Sequence, residues 1–294
     1  MASTNRSAAA RTAFGPMVIA AAEQYTPSSL RLLDDDLGAR LLPPAQQPIV
    51  RACRWRVVRN ALMAVTESSA PGIWGGMICS KRYADDAVAE AVAGGIRQVV
   101  VLGAGLDTRG VRLAAPAGAQ VYELDQPVNI AYKVRRLRAV LGPVPDRVRL
   151  VPVDFETDDL ATVLPTNGFD AGRPALFVWE AVTQYLTEEA VRATFAFLAK
   201  AAAGSRLIFT HVRADFLDGT NSYGAERLRR RMTGADRVWR FGIAPAEVGS
   251  LLDEYGWVER EQMGSAEYRA RYLVPVGRQM AVSEIERFVC AEKA

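Results

Sequence analysis

Along this 294-residue chain the spacing of apolar positions changes near Arg97. Upstream, apolar residues recur at helical intervals, as in VVRNALMAV (57–65) and DDAVAEAVAGG (85–95), the latter opening on acids and closing on glycines. Loops such as LLPPAQQP and SSAPGIWGG separate these helices. From Arg97 onward, short β-branched runs alternate with helix-length segments. QVVVLGAG, AQVYELD, VRLVPVDF, ALFVWEAV and SRLIFTHV read as five strands, the first apolar throughout, as expected of a strand covered on both faces. Between them lie PVNIAYKVRRLRAVL and TEEAVRATFAFLAKAAAG, the second with Thr187 as its cap, Glu188 and Glu189 in its first turn and Gly204 beyond its end. This alternation predicts an α/β protein with an open parallel sheet and helices on both faces. APAEVGSLLDEYGW predicts a further helix, and RYLVPV with ERFVCAEK an antiparallel pair at the sheet edge. Residues 1–80 are expected to form a helical cap on the substrate side. Residues 81–294 are expected to form the main domain, with an insertion at about 213–243 acting as a lid.

Composition narrows the classes. Half of the residues are apolar, enough for a substantial core, and the formal charge of +3 does not by itself indicate a nucleic-acid partner. Cys53, Cys79 and Cys290 form neither a disulfide framework nor a metal-ligand spacing, which fits a reducing cytosol. No segment has the length of a membrane span, and no signal segment is apparent, so a soluble cytoplasmic protein is expected.

The strand ends carry the candidate chemistry. In doubly wound sheets ligands bind outside the carboxyl ends of the strands. Here strand one ends at Gly103 and Gly105, strand two at Glu123 and Asp125, strand three at Asp154 and strand four at Glu180. The turn GAGLDT approaches a dinucleotide fingerprint, and an acid about twenty residues later also occurs in NAD-binding proteins. Thr108, however, stands where the third glycine would, and Asp107 puts a carboxylate where a pyrophosphate would lie. Acids closing three strands suit amines, hydroxyls and a sulfonium, the groups of phosphate-free S-adenosylmethionine. Asp107 and Arg109 fit pairing with each other or capping the helix as well as they fit direct contact with the cofactor. Glu123 is expected to face solvent or to support neighbouring groups. His211, the one histidine, suits a general base if the acceptor is a hydroxyl, and suits a structural role as well. The run RLRRRMTGADRVWR reads as a solvated helix face, with too few aromatics for a stacking platform.

VVVLGAGLDTRGVRL, VYELDQP, VPVDF and WEAVTQYLTEEAV together resemble the leucine carboxyl methyltransferase-like family of S-adenosylmethionine-dependent methyltransferases, which includes many actinobacterial enzymes and polyketide O-methyltransferases. The likeness covers roughly residues 75–210, with LLDDDLGARLL and ERFVCAEK at either end. It implies a class I methyltransferase fold: a Rossmann-like, seven-stranded, mostly parallel sheet with a helical cap. It implies S-adenosylmethionine as cofactor and no metal. By the same resemblance Gly103, Ala104 and Gly105 lie under the cofactor, Asp125 takes its ribose hydroxyls with Gln126 beside it, and Asp154 and Phe155 meet the adenine. Glu180 and Ala181 lie near the methionine amino group, and Arg82 pairs the methionine carboxylate, with Lys81 in reserve. Tyr185, in the loop after Glu180, suits positioning the acceptor and suits a packing role as well. The expected acceptor is the hydroxyl or carboxyl oxygen of a small molecule, as in bacterial secondary metabolism, with no nucleic-acid or membrane partner and a homodimer left open. The alternatives are a protein or peptide carboxyl methyltransferase and an NAD-binding oxidoreductase.

Overall fold

The computed structural model describes residues 14–235 and 237–294; the first thirteen residues of the expected cap lie outside the described residues, as does position 236 of the arginine-rich run. A seven-stranded sheet is formed by β1 (Gln98–Leu102), β2 (Gln120–Asp125), β3 (Val148–Pro152), β4 (Leu176–Trp179), β5 (Arg206–Val212), β6 (Trp257–Met263) and β7 (Glu286–Lys293). Their order is β3-β2-β1-β4-β5-β7-β6, and all neighbours are parallel except β7, which runs antiparallel to β5 and β6. Strand order reverses between β1 and β4, which makes their carboxyl ends the ligand edge of such a sheet. β1 is buried along its whole length, as its unbroken apolar run requires.

Strand alternation divides the core in two. Val99, Val101, Val178, Ile208 and Phe288 pack on one face against the helix Ile73–Ala93. Val100, Phe177, Trp179, Phe209 and Val289 pack on the other with the helix Glu188–Leu198, whose Thr187 side chain accepts from the Ala190 amide as its cap. Ahead of the sheet lie α1 (Phe14–Glu23), α2 (Asp36–Leu41), α3 (Gln47–Ala52), α4 (Arg56–Glu67) and α5 (Ile73–Ala93). After β5, the chain from Arg213 leaves the sheet and returns at Ile243, where an isolated bridge joins the two residues. No helix among the described residues is long and apolar enough to cross a membrane.

Two local expectations are corrected. RYLVPV is helical, in turns Arg269–Leu273 and Val274–Val276, because Tyr272 packs one turn beyond Tyr268 on the same core face. The edge partner of β7 is instead WVEREQM, a charge-rich strand with only Trp257 and Met263 buried, whose register comes from pairing. Gly75 and Gly76 of SSAPGIWGG also join α5: a Cβ on Gly75 would lie 2.2 Å from the Ala281 carbonyl oxygen, so only glycine lets the helix approach the loop before β7.

Candidate active site at the carboxyl ends of β1 and β4

The turn after β1 is held by backbone geometry. Gly103 and Gly105 adopt positive φ of 73° and 46°. A Cβ on Gly103 would meet the Val182 side chain at 2.4 Å. The Gly103 and Ala104 amides both donate to the Leu124 carbonyl at 2.8 Å, tying the turn to the end of β2. Across from it, Ala181 is a non-glycine residue at φ 57°, with its amide donated to Thr210 Oγ1 at 2.7 Å. Backbone strain of this kind gathers at functional sites.

Asp125 closes β2. Its Oδ2 accepts the Gly105 amide, and its Oδ1 accepts the Gln126 amide at 2.7 Å and Asn129 Nδ2 at 2.8 Å. A carboxylate offers about four acceptor positions. These three donors fix the carboxylate at the end of β2 and leave it acceptor capacity toward the ligand edge. Asp154 and Phe155 lie partly exposed beyond β3. Asp154 caps its own turn by accepting the Glu156 amide at 3.1 Å, and Phe155 leans on the second core face.

Arg109 is the centre of the site. Its guanidinium is 4% exposed and pairs with Asp85 at 2.9 Å, Glu180 at 2.6 Å and Asp107. Burial works against its charge, but Asp107, Glu180 and Asp85 more than offset this and hold its pKa well above the ordinary value. Burial likewise opposes ionisation of Glu180 and Asp107, yet Arg109 keeps both carboxyls below their usual range. Of the readings open to Asp107, the mutual pair is the observed one, and Asp107 also accepts the Arg109 amide at 2.7 Å. Asp107 is therefore not the bare carboxylate expected in the turn, because Arg109 neutralises it. Thr108 has a role of its own. Its hydroxyl donates to Asp35 Oδ2 at 2.7 Å, while Asp35 Oδ1 caps α2 through the Gly38 amide. The residue that spoils the dinucleotide turn fastens the N-terminal helices to it.

Two neighbours on α5 part company. Lys81 reaches to 3.9 Å from Glu180 Oε1, and Ser80 Oγ donates to the same oxygen at 3.1 Å. Arg82, about 100° further round the helix, pairs with Asp86 at 2.9 Å and donates to the Leu32 carbonyl at 3.1 Å. The structure thus brings Lys81, not Arg82, to the cluster. An ammonium and a carboxylate at this separation complement the carboxylate and ammonium of an α-amino acid, so the residues fit the amino-acid end of S-adenosylmethionine.

His211 and Glu123 also depart from expectation. His211 shares a sheet face with Phe209, its ring 6.3 Å from that ring, whereas Phe288 and Glu286 stand on the opposite, α5 face. It is fully buried, and desolvation, with Arg287 and Arg213 adding to it, pushes its pKa down to about 4. This geometry does not bring it to Glu180. Glu123 is also fully buried, in an ion pair with the equally buried Lys133 at 2.6 Å. Gly110 leaves room for it, since a Cβ there would touch Glu123 Oε1 at 2.5 Å. Tyr185 is half-buried in the turn Thr183–Tyr185.

Sequence reasoning missed Glu286. At the first position of β7, its Oε2 accepts from Gln184 Nε2 at 3.4 Å. Burial, then Glu180, push its pKa up to about 8, against the pull of Lys81 and Gln184. The buried Tyr268 faces Glu286, Glu180 and Ser80. The only signal was position: ERFVCAEK places an acid where the antiparallel strand meets the ligand edge. A cleft of about 710 Å³ opens at the opposite edge of the sheet, near Gln98, Gln120, Arg149 and Asp170, away from all of these groups.

Comparisons with known proteins agree with this architecture. The crystal structure of a "putative methyltransferase" from Thermobifida fusca YX superposes with a TM-score of 0.61 at 21% identity, over 81% of this chain and 89% of that one. A DUF574 family protein from Streptomyces avermitilis MA-4680 gives 0.57 at 17% identity, over 87% and 97%. Both share the fold. A relative from Mycobacterium avium (strain 104), named "Putative S-adenosyl-L-methionine-dependent methyltransferase", is 32% identical over 239 residues, 73% of this chain and 74% of its own. One of the same name from Mycobacterium marinum (strain ATCC BAA-535 / M) is 35% identical over 236 residues, 77% and 75%. The leucine carboxyl methyltransferase profile matches residues 13–199, which span the N-terminal helices, the glycine turn and the strand-end acids. With the turn, Asp125, Glu180 and the parallel strands β1 to β4 inside that match, the chain belongs to the leucine carboxyl methyltransferase family.

Proposed function

We propose that this chain, an S-adenosylmethionine-dependent methyltransferase, methylates a hydroxyl oxygen of a small molecule of the kind modified in bacterial secondary metabolism. When bound, the cofactor supplies a methyl group already activated on a sulfonium sulfur. In this reading Lys81 and Glu180 take the carboxylate and ammonium of its amino-acid end. Asp125 takes the ribose hydroxyls, with Ala104 and Gln126 beside it, and Asp154 and Phe155 border the adenine. What remains for the protein is to hold the acceptor oxygen in line, exclude water and remove its proton. Orientation of this kind is worth up to ~7–11 kcal/mol of a barrier. The N-terminal helices and the segment 213–243 are the elements available to cover the site.

One observation carries the choice of a hydroxyl: Glu286 stands beside Glu180 at the open end of the sheet. A carboxyl with a raised pKa, once deprotonated, suits taking a proton from a hydroxyl, a step that a carboxylate acceptor does not need. Gln184 orients it. The family's name favours a second reading, methylation of a carboxyl oxygen, which needs no base. Incubation with methyl-labelled S-adenosylmethionine and a panel of phenols, alcohols and carboxylic acids separates the two. Label in the ethers of phenols or alcohols is expected; label only in carboxylic esters would replace the first reading with the second.

A further inference from the structure

The outer side of the N-terminal helices is built unlike the surface of a solvated helix. Of α4, Leu62 and Met63 pack inward on the first core face, and Val58 is half-buried. The opposite side is also apolar: Val57, Ala61, Ala64 and Val65 are exposed and follow one stripe at helical spacing. Val57 is 80% exposed, Val65 69%, and Trp55 and Ile49 just before the helix 54% and 45%. These four are half of the large apolar residues exposed among the described residues.

The exposed Arg51, Arg54 and Arg56 flank this patch in sequence, whereas Arg40 donates to the Val140 carbonyl at 2.9 Å and Arg59, on the inward side of α4, to the Tyr25 carbonyl at 2.9 Å. Residues 37–66 contain Arg40, Arg51, Arg54, Arg56 and Arg59 and no acid. None of the five has an acidic partner among the described residues. Arg54 lies over the Trp55 ring at 4.2 Å, and Arg51 Nε turns back to the Gln47 carbonyl at 3.4 Å. The far end of α4 is fixed to the body of the protein, where Glu67 accepts the Gly72 amide at 2.6 Å and the Trp74 amide at 3.0 Å at the start of α5.

We infer that α3 and α4 form a docking face for an anionic lipid surface, with Ile49, Trp55, Val57 and Val65 entering the headgroup boundary and Arg51, Arg54 and Arg56 pairing with lipid phosphates. A basic amphipathic segment with aromatic and aliphatic residues on one side lies in the plane of such an interface, and each arginine near it adds attraction. Charge selects this occupant. A second copy docked on the same face would bring arginines against arginines without an acid to relieve them, and an acidic polypeptide would leave the valine stripe unused. The face is independent of the acceptor and of the residues around Glu180. It departs from the sequence expectation of no membrane partner because a surface helix needs no spanning length.

The test is co-sedimentation of the full chain with vesicles of phosphatidylcholine and phosphatidylglycerol in equal parts, and with phosphatidylcholine alone. Binding to the mixed vesicles, weakened by salt and absent from the neutral ones, is expected. Val57→Ser with Val65→Ser should lower partitioning about tenfold or more, and Arg51→Gln with Arg54→Gln by about tenfold. Thermal midpoints and S-adenosylhomocysteine binding should be unchanged in both variants. Three outcomes overturn the inference: no binding to mixed vesicles, binding indifferent to the valine pair, or a stable dimer in sedimentation velocity that the valine pair dissociates.

Discussion

Arg109→Ala is expected to lower the free energy of unfolding by about 5 kcal/mol, the upper end of what removing one partner from a buried charge pair costs. The upper end applies because the change strands three carboxylates at once, Asp85, Asp107 and Glu180, in a cluster with little access to water. Arg112, 2.7 Å from Asp85, relieves only that member. Lys81 stands too far from Glu180 to replace a 2.6 Å contact. Arg109→Lys should recover a minor part, since an ammonium cannot meet three carboxylates from one side chain as a planar guanidinium does. Denaturant unfolding followed by circular dichroism reads the effect. A loss below about 1 kcal/mol, the scale of a surface ion pair, would show that these carboxylates do not depend on Arg109.

Glu286→Gln is expected to lower the turnover of a hydroxyl acceptor by roughly 10²–10⁴-fold, the usual contribution of a general base, and to leave S-adenosylhomocysteine affinity unchanged. The pH profile supplies the sign. A base acts only when deprotonated, and Glu286 sits at about 8, so wild-type turnover should rise with pH through that value and then level. The glutamine variant should lack this step. Stability moves in the opposite direction. An acid whose pKa is raised by folding is ionised first in the unfolded chain, so its contribution falls as pH rises from about 4.5, its ordinary value, to about 8. The variant should therefore lose less stability across that window than the wild type. A retained step in the turnover profile would move the role to another group.

Much of this architecture was legible in the sequence because β1 to β5 carry their own signals. Short apolar runs, a glycine turn after β1 and acids at the ends of β2, β3 and β4 point to a parallel sheet and its ligand edge without long-range information. WVEREQM was not legible: its residues have no strand-like periodicity of hydrophobicity, and only pairing with β7 defines it. RYLVPV shows the converse, an apolar run that reads as a strand until Tyr268 and Tyr272 are seen to share one helical face. In the site, residue types were readable and partners were not. Asp107 and Thr108 stand out in the sequence, but Arg109 and Asp35 give them their roles, the second from 73 residues away. Lys81 and Arg82 cannot be told apart by composition; helix rotation alone sends one to Glu180 and the other to Asp86. His211 looked catalytic by being unique, whereas strand alternation puts it on the other face from Glu286.

The claim beneath all of these is that the glycine turn and the Lys81–Glu180 pair hold S-adenosylmethionine and no dinucleotide. Calorimetric titration of the full chain with S-adenosylhomocysteine, and separately with NAD, tests it most directly. Saturable heat with S-adenosylhomocysteine, none with NAD, and affinity about tenfold or more weaker in Lys81→Met are predicted, as loss of a hydrogen bond to a charged group implies. Heat with NAD and none with S-adenosylhomocysteine would contradict it.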